Sequence, residues 1–235
     1  MTYHQRPTQR TGPEDCPTSF YKDPQGVYRA APLDRFAWLV HGFGARQGSI
    51  PAGIARVAWL KQIHSAEWVY AAGRAGLLGP GDALIENTPG AVVGVRTADC
   101  LPILLADERL RAVAAIHAGW RGTAAGIARR TVEAMSRRFG SRPADLHAAI
   151  GPGIGKCCYE VGPEVAERFG EPGQARLDLA DANRRQLLQA GLDTARIYAA
   201  NLCTMCLAGE FHSFRRDREA AGRMRSCIGI RAALE

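Results

Sequence analysis

Two apolar runs, Leu101–Ala106 and Ala112–Ile116, stand either side of the charged tetrapeptide Asp107–Leu110 in the stretch VRTADCLPILLADERLRAVAAIHAGWRG, residues 95–122. Short apolar runs bounded by turn residues read as buried strands, so the stretch is most simply a hairpin inside a sheet. Cys100 enters the first strand just before Pro102, and His117 leaves the second just before Ala118-Gly119. In an antiparallel pair the start of one strand lies beside the end of the next. A thiol and an imidazole are thereby delivered to one edge of the sheet, and a fold for this chain has to be built around that edge.

The 235 residues are enough to bury a full core and fit one large domain at least as well as two. The expected organisation is a loosely attached N-terminal arm over residues 1–30 and a single domain over residues 31–235. With 46% hydrophobic and 23% charged residues, the composition is that of a globular protein. A net charge of +7 points either to a solvated basic face or to an anionic substrate such as phosphate or a nucleotide. No Lys/Arg tract or aromatic-interleaved basic stripe argues for nucleic acid. Seven cysteines, an odd number spread over a long chain, fit a reducing cytoplasm better than a secreted disulfide framework. The first residues carry no apolar signal core, and no run is long enough to span a bilayer, so a cytoplasmic protein with no membrane partner is expected.

Taken in order, FAWLV (36–40) predicts a strand leading into the glycine-rich turn His41-Gly-Phe-Gly-Ala-Arg46-Gln-Gly, which would bring Arg46 near a ligand. Val57–Leu60 predicts a second strand running into Lys61-Gln62-Ile-His64-Ser, and Glu67–Ala71 its return strand. A glycine-rich connection (73–81) precedes strands at Asp82–Glu86 and Val92–Arg96. After the hairpin, Ile127, Val132, Met135 and Phe139 fall at helical spacing. They predict one helix of about fifteen residues, opened by Gly119–Gly126, whose positive end faces Cys100 and His117. Leu146–Ile150 predicts a buried strand, followed by the loop Gly151-Pro-Gly-Ile-Gly-Lys156. That loop is not a Walker motif, because Ile150 and Cys157 stand where glycine and Ser/Thr are required. Helices are expected over Gly162–Phe169 and over Asp181–Ala190, the latter capped by Asp181 or a neighbour. Strands follow at Ile197–Ala200 and Arg223–Ile230.

His64, Cys100 and His117 all fall at predicted strand ends beside small residues. Two imidazoles and a thiolate suit Zn²⁺ with a fourth position open to water or substrate. Two alternatives use the same residues: satisfied core histidines beside a structural cysteine, or a Cys100 nucleophile with His117 as its base and no metal. Cys203-x-x-Cys206 would need a second pair to make a structural metal site. Cys157–Cys158 has the wrong spacing for one, and a redox pair would normally precede a helix of a βαβ unit, so buried or partly buried thiols are expected there. Arg215, Arg216, Arg218 and Arg223 form either a phosphate grip or an ion-paired face.

The segments KQIHS, RTADCLPILL, AAIHAGWRGT, IGPGIGKCCYEV, CTMC, FHSFRRD and GRM occur in an order that resembles the laccase-domain, or polyphenol oxidase, family, which includes the YfiH proteins. The likeness runs over about residues 35–231. It implies an α/β fold, a four-layer αββα sandwich of mixed sheets similar to the cysteine-deamidase toxin domain. It also implies a zinc centre at His64, Cys100 and His117, with copper as the alternative metal. The oxidase name sits poorly with a chain of six histidines, since a laccase uses several copper ions.

The resemblance implies phosphorolysis of adenosine, inosine and methylthioadenosine, with adenosine deamination beside it, by a monomer or homodimer acting on purine nucleosides and phosphate. Zinc suits attack at purine C6 by making water a better nucleophile near neutrality. Arg46, after the HGF turn, is the expected phosphate grip and Gln62 a substrate-orienting residue. Gly44-Ala45 precedes that arginine where relatives often carry Thr or Ser. Asp99 is either a support for a ligand or a cap on the strand turn. A second implied function is peptidoglycan editing by a cysteine amidohydrolase acting on UDP-muramyl peptides. A third reading of the seven cysteines is a metal- or partner-binding protein without turnover.

Overall fold

The structure, a computed structural model, describes residues 19–47, 50–51 and 54–232. In chain order the strands begin with β1 (Phe20–Lys22), β2 (Tyr28–Ala30), β3 (Leu39–Phe43), β4 (Ala58–Lys61), β5 (Trp68–Tyr70), β6 (Gly76–Pro80), β7 (Ala83–Glu86) and β8 (Val92–Thr97). The hairpin strands β9 (Leu101–Asp107) and β10 (Val113–Ala118) follow, then helices α1 (Trp120–Ala124) and α2 (Ile127–Phe139). The remainder is β11 (Leu146–Ile150), β12 (Glu160–Val161), α3 (Pro163–Ala166), β13 (Ala175–Arg176), α4 (Leu179–Gln189), β14 (Ile197–Ala199), α5 (Phe214–Asp217) and β15 (Met224–Ile230).

The hairpin forms as its apolar runs predict, in register from Val113 opposite Ala106 to Ala118 opposite Leu101. Asp107 Oδ1 closes its turn by accepting from the backbone N–H groups of Arg109 and Leu110. Every residue of β9 and β10 is buried. That is why the runs are continuously apolar rather than alternating: both faces of the sheet are covered. Ile103, Leu105, Ala114 and Ile116 pack with Val132 and Met135 of α2 and Leu187 of α4. Leu104, Ala106, Val113 and Ala115 pack instead with Val93, Val95 and Ile228 of the second sheet. Each fully buried Leu or Ile contributes about 1.5–3 kcal/mol to this core.

Two mixed sheets result, of order β1-β2-β3-β15-β8-β4-β6 and β14-β11-β9-β10-β7-β5, with a separate β12-β13 pair. The α/β class with mixed sheets is as expected. Helices α2 and α4 cover the outer face of the six-stranded sheet. The outer face of the other sheet, at Val40, Val92 and Cys227, is covered by Ile50, Ile54 and Val57 from the β3–β4 connection. Among the described residues no helix is long and apolar enough to cross a membrane.

Several local expectations are corrected. Of the arm expected over residues 1–30, residues 1–18 lie outside the described ones, while 20–30 supply β1 and β2, with Phe20, Val27 and Ala30 buried. His41-Gly-Phe43 is strand, not turn, and Phe36 lies before that strand. Its glycine is there for close approach, since a Cβ on Gly42 would stand 2.6 Å from Val27 Cγ1. Residues 68–70 do not return beside β4; they pair in parallel with β7 in the other sheet. The glycine-rich connection contains β6, which is β4's parallel neighbour. The single long helix is two helices, broken at Gly126, whose φ of 81° is left-handed. The cap of α4, expected at Asp181 or a neighbour, is the nearby Asp178, which accepts from Asp181 N–H.

Candidate active site

His64 lies in the turn after β4, Cys100 in the turn between β8 and β9, and His117 near the end of β10. One ligand atom from each of the three lies within 4.8 Å of the others, so the sheet edge does collect them. The imidazoles meet edge to face, centroids 4.9 Å apart. His64 has φ 57° and Asp99, which sets the turn before Cys100, has φ 82°. Left-handed backbone at a non-glycine residue costs about 1–3 kcal/mol and persists where surrounding structure imposes it. Gly119 completes the packing: a Cβ there would stand 2.9 Å from Cys100 Sγ and 3.3 Å from His64 Cδ2.

The residue that imposes this geometry is Asp82, just before β7 and fully buried. Its Oδ1 accepts from His64 N–H at 3.0 Å and pairs with His117 Nδ1 at 2.8 Å. Its Oδ2 accepts from Ser65 N–H at 2.6 Å, Ser65 Oγ at 2.8 Å and Ile63 N–H at 3.3 Å. Burial alone would raise the carboxyl pKa, but these donors, His117 first, hold it down to about 2. With Nδ1 committed to Asp82, His117 presents Nε2 to Cys100 and His64. Burial works against a charged His117, yet Asp82 and the Cys100 sulfur hold its pKa up to about 9. Burial likewise opposes ionisation of Cys100, and the hydrogen bonds of His117 and His64 outweigh it, bringing the thiol to about 6. Nothing in the sequence alone marks Asp82 as a site residue. Its only signal was an acid immediately ahead of an apolar strand.

Two imidazoles and a thiolate, one imidazole oriented by a carboxylate, match the ligand and support chemistry of a zinc centre. The same donor types also serve copper. His64 is exposed, Cys100 half-buried and His117 buried, so the trio opens to solvent on the His64 side, as a centre with a free coordination position requires.

Other residues singled out from the sequence are placed as follows. The Arg46 guanidinium contacts Asp217 Oδ2 at 3.1 Å and Phe211 O at 3.2 Å, and the backbone N–H of Arg46 donates to Glu210 O. Gln62 clamps β8, its amide donating to Arg96 O at 2.8 Å and accepting from Arg96 N–H at 2.9 Å. Both ends of that amide are thus engaged by backbone, and Gln62 joins the ends of β4 and β8 instead of pointing polar atoms at a substrate. Asp99 takes Thr204 Oγ1 at 2.7 Å and Arg215 N–H at 2.6 Å, which makes it a latch between the Cys100 turn and the 204–215 segment. Arg216 is ion-paired to Asp217 and bonded to the carbonyls of Thr204, Met205 and Phe211. That makes this arginine structural. Because α1 has only five residues, the long-helix dipole expected at Cys100 is not there.

One expectation about the remaining cysteines is overturned. Cys157 and Cys206 are exposed, where buried or partly buried thiols were expected, and the sulfurs of Cys157, Cys158, Cys203 and Cys206 lie within 4.8 Å of one another. Cys227 is buried in the sheet, and desolvation pushes its thiol up to about 12.

Comparison with known proteins agrees with this architecture. The family model described as multi-copper polyphenol oxidoreductase laccase matches residues 45–231. A purine nucleoside phosphorylase of Deinococcus radiodurans is 42% identical over 183 residues, 74% of this chain and 70% of that one. A protein named adenosine deaminase RL5, from an unknown prokaryotic organism, is 41% identical over 156 residues, 60% of this chain and 59% of the other. The crystal structure of YlmD from Geobacillus stearothermophilus superposes with a TM-score of 0.81 at 30% identity, covering 92% of this chain and all of that one.

Proposed function

The chain belongs to the family of multi-copper polyphenol oxidoreductase laccases, and we propose that it is a zinc-dependent purine nucleoside phosphorylase with adenosine deaminase activity at the same centre. The observation that carries this reading is the convergence of His64, Cys100 and His117 on one point, with Asp82 fixing the tautomer of His117. The names of similar proteins, phosphorylases and one adenosine deaminase, supply the substrate class.

Zinc held by the trio supplies a Lewis acid with one coordination position left for a reactant. The chain's own residues do the rest. Asp82 keeps the Nδ1 proton of His117 and leaves Nε2 free to ligate. The imidazoles keep Cys100 as a thiolate. In phosphorolysis the glycosidic C–N bond breaks, the purine leaves with a proton, and phosphate oxygen forms the new bond to the ribose anomeric carbon. Phosphate has to be held against that carbon. Arg46 is the candidate grip, swinging from Asp217 to the incoming anion, since a guanidinium binds phosphate through paired donors. Gln62 acts at one remove, by pinning the end of β8 from which the Cys100 turn departs.

Incubation of the purified protein with inosine and phosphate should release hypoxanthine, and Cys100→Ala should abolish the release. Undiminished turnover by Cys100→Ala would overturn the assignment. One observation favours a second reading: a thiol drawn down to about 6 beside an imidazole held up to about 9 is also a nucleophile–base pair. In that reading the chain is a cysteine amidohydrolase acting on a cell-wall precursor. Alkylation with iodoacetamide in the presence of chelator would then destroy the activity, and insensitivity would dismiss it.

A further inference from the structure

A second group of metal-ligating side chains stands outside the centre just described. The adjacent pair Cys157–Cys158 follows the glycine loop after β11, and Cys203-x-x-Cys206 follows β14. The two loops are stitched by backbone: Gly153 N–H donates to Leu202 O at 3.2 Å, and Thr204 N–H to Gly153 O at 3.0 Å. A tight turn, with Cys158 and Tyr159 N–H both on Gly155 O, brings the sulfurs of the adjacent pair into range of the second loop. Cys206 Sγ lies 3.3 Å from Cys158 Sγ and 3.6 Å from Cys157 Sγ.

We propose that Cys157, Cys158, Cys203 and Cys206 form a structural, four-thiolate zinc site that fastens the loop after β11 to the loop after β14. Four sulfurs bonded to one ion at about 2.3 Å in a tetrahedron stand about 3.8 Å apart, close to the separations seen here. All four lie within 4.8 Å of one another, a spread that one ion can bridge, whereas an iron–sulfur cluster distributes its cysteines around several metals. Cys203-x-x-Cys206 has the spacing of one half of a structural zinc site, and the adjacent pair supplies the other half through its turn rather than through sequence spacing.

A second feature is shaped for the same purpose. Gly155 N–H donates to Cys203 Sγ at 3.3 Å, a main-chain donor aimed at a sulfur that carries charge once metal-bound. A side chain at Gly155 would stand 3.2 Å from both Cys157 Sγ and Cys203 Cβ, filling the cradle. Four thiolates and Zn²⁺ leave a net charge of two minus, beside which Arg176 Nη1 bonds Cys157 O at 3.3 Å. Binding exchanges up to four thiol protons for one Zn²⁺, with no change in oxidation state. Two of the ligands are exposed and none leaves an open position, so the site is structural rather than catalytic.

The fastening matters to the first centre through Asp99. Thr204, inside the Cys203–Cys206 knuckle, donates to Asp99, and Ile154 N–H, from the other loop, donates to Asp99 O at 2.8 Å. Asp99 precedes Cys100, so both loops tied by the four cysteines hold the turn that presents that thiol.

The full chain, purified without chelator and counted by mass spectrometry, should carry two zinc ions. The doubly substituted Cys203→Ser/Cys206→Ser chain should carry one. A His64→Ala/His117→Ala chain should also keep one, and its X-ray absorption should show a first shell of sulfur alone. This second variant keeps the test open if the serine variant does not fold. One zinc in the full chain, lost in the histidine variant, would overturn the proposal. So would iron in place of zinc, or a Cys158–Cys206 disulfide in protein kept under reductant. None of these counts depends on whether inosine is cleaved.

Discussion

Replacing Asp82 with asparagine keeps its size and removes its charge, which isolates what the carboxylate does. Oδ1 serves His64 N–H and His117 Nδ1, while Oδ2 serves Ser65 N–H, Ser65 Oγ and Ile63 N–H. An amide can accept at only one of these positions. With the amide oxygen in the Oδ1 place, its NH2 confronts the N–H groups of Ser65 and Ile63, and only the Ser65 hydroxyl can reverse. Two donors lose their acceptor at about 1–3 kcal/mol each, so Asp82→Asn should destabilise the fold by about 2–6 kcal/mol. Turned the other way, the NH2 faces His117, which must accept on Nδ1 and carry its proton on Nε2, where a metal would bind. In either arrangement zinc affinity should fall on the order of 10–100-fold, the usual effect of losing a carboxylate behind a ligating histidine. Urea unfolding of the metal-free protein and competition with a chromogenic chelator measure the two effects separately. A folded Asp82→Asn protein that binds zinc within about twofold of wild type would refute the argument that Asp82 orients the trio.

Gly119→Ala should weaken zinc binding at the trio at least about tenfold with little loss of stability, because its backbone is ordinary (φ −78°) while its new Cβ meets Cys100 Sγ; chelator competition reads this, and unchanged affinity would mean the turn yields. Thr204→Val removes the hydroxyl bonded to the buried Asp99 carboxylate and should cost about 1.5–3 kcal/mol in urea unfolding; no change would show that Asp99 is held by other contacts. His41 is buried and accepts from Ala30 N–H at 3.0 Å, and desolvation, aided by Arg29, lowers its pKa from 6.5 to about 3. The unfolded chain therefore binds this proton first as pH falls, so its contribution is complete above pH 6.5 and is lost between 6.5 and about 3. Across that window wild type should lose up to about 1.4 kcal/mol per pH unit more than His41→Gln, and parallel pH profiles for the two would count against it.

The central hairpin was legible because its strands are buried on both faces, and such strands are written as uninterrupted apolar runs. His64, Cys100 and His117 stood out because each falls close to the end of an apolar run, beside glycine or another small residue. What could not be read is what depends on partners distant along the chain. Nothing local assigns Trp68–Tyr70 to β7 in one sheet rather than to β4 in the other. The glycines and leucines of β6, none of them fully buried, look like a loop and become strand only because β4 lies alongside. Gly126 interrupts the helical periodicity without disturbing the apolar positions around it, so the break between α1 and α2 left no trace in the pattern. Asp82 and the four clustered cysteines escaped for the same reason: their partners arrive from segments 17 to 49 residues away.

The three residues of the candidate site do not share a layer. His64 follows a strand of the seven-stranded sheet, His117 belongs to the six-stranded one, and Cys100 sits on the crossover between them. Their spacing is therefore a gauge of how the two sheets are aligned. Leu104, Val113, Val93 and Ile228, far from any chemistry, keep that gauge true by refusing to let one layer slide over the other. A cavity carved among them would be felt first as a change in the spacing of His64, Cys100 and His117, and only later as an unfolded chain.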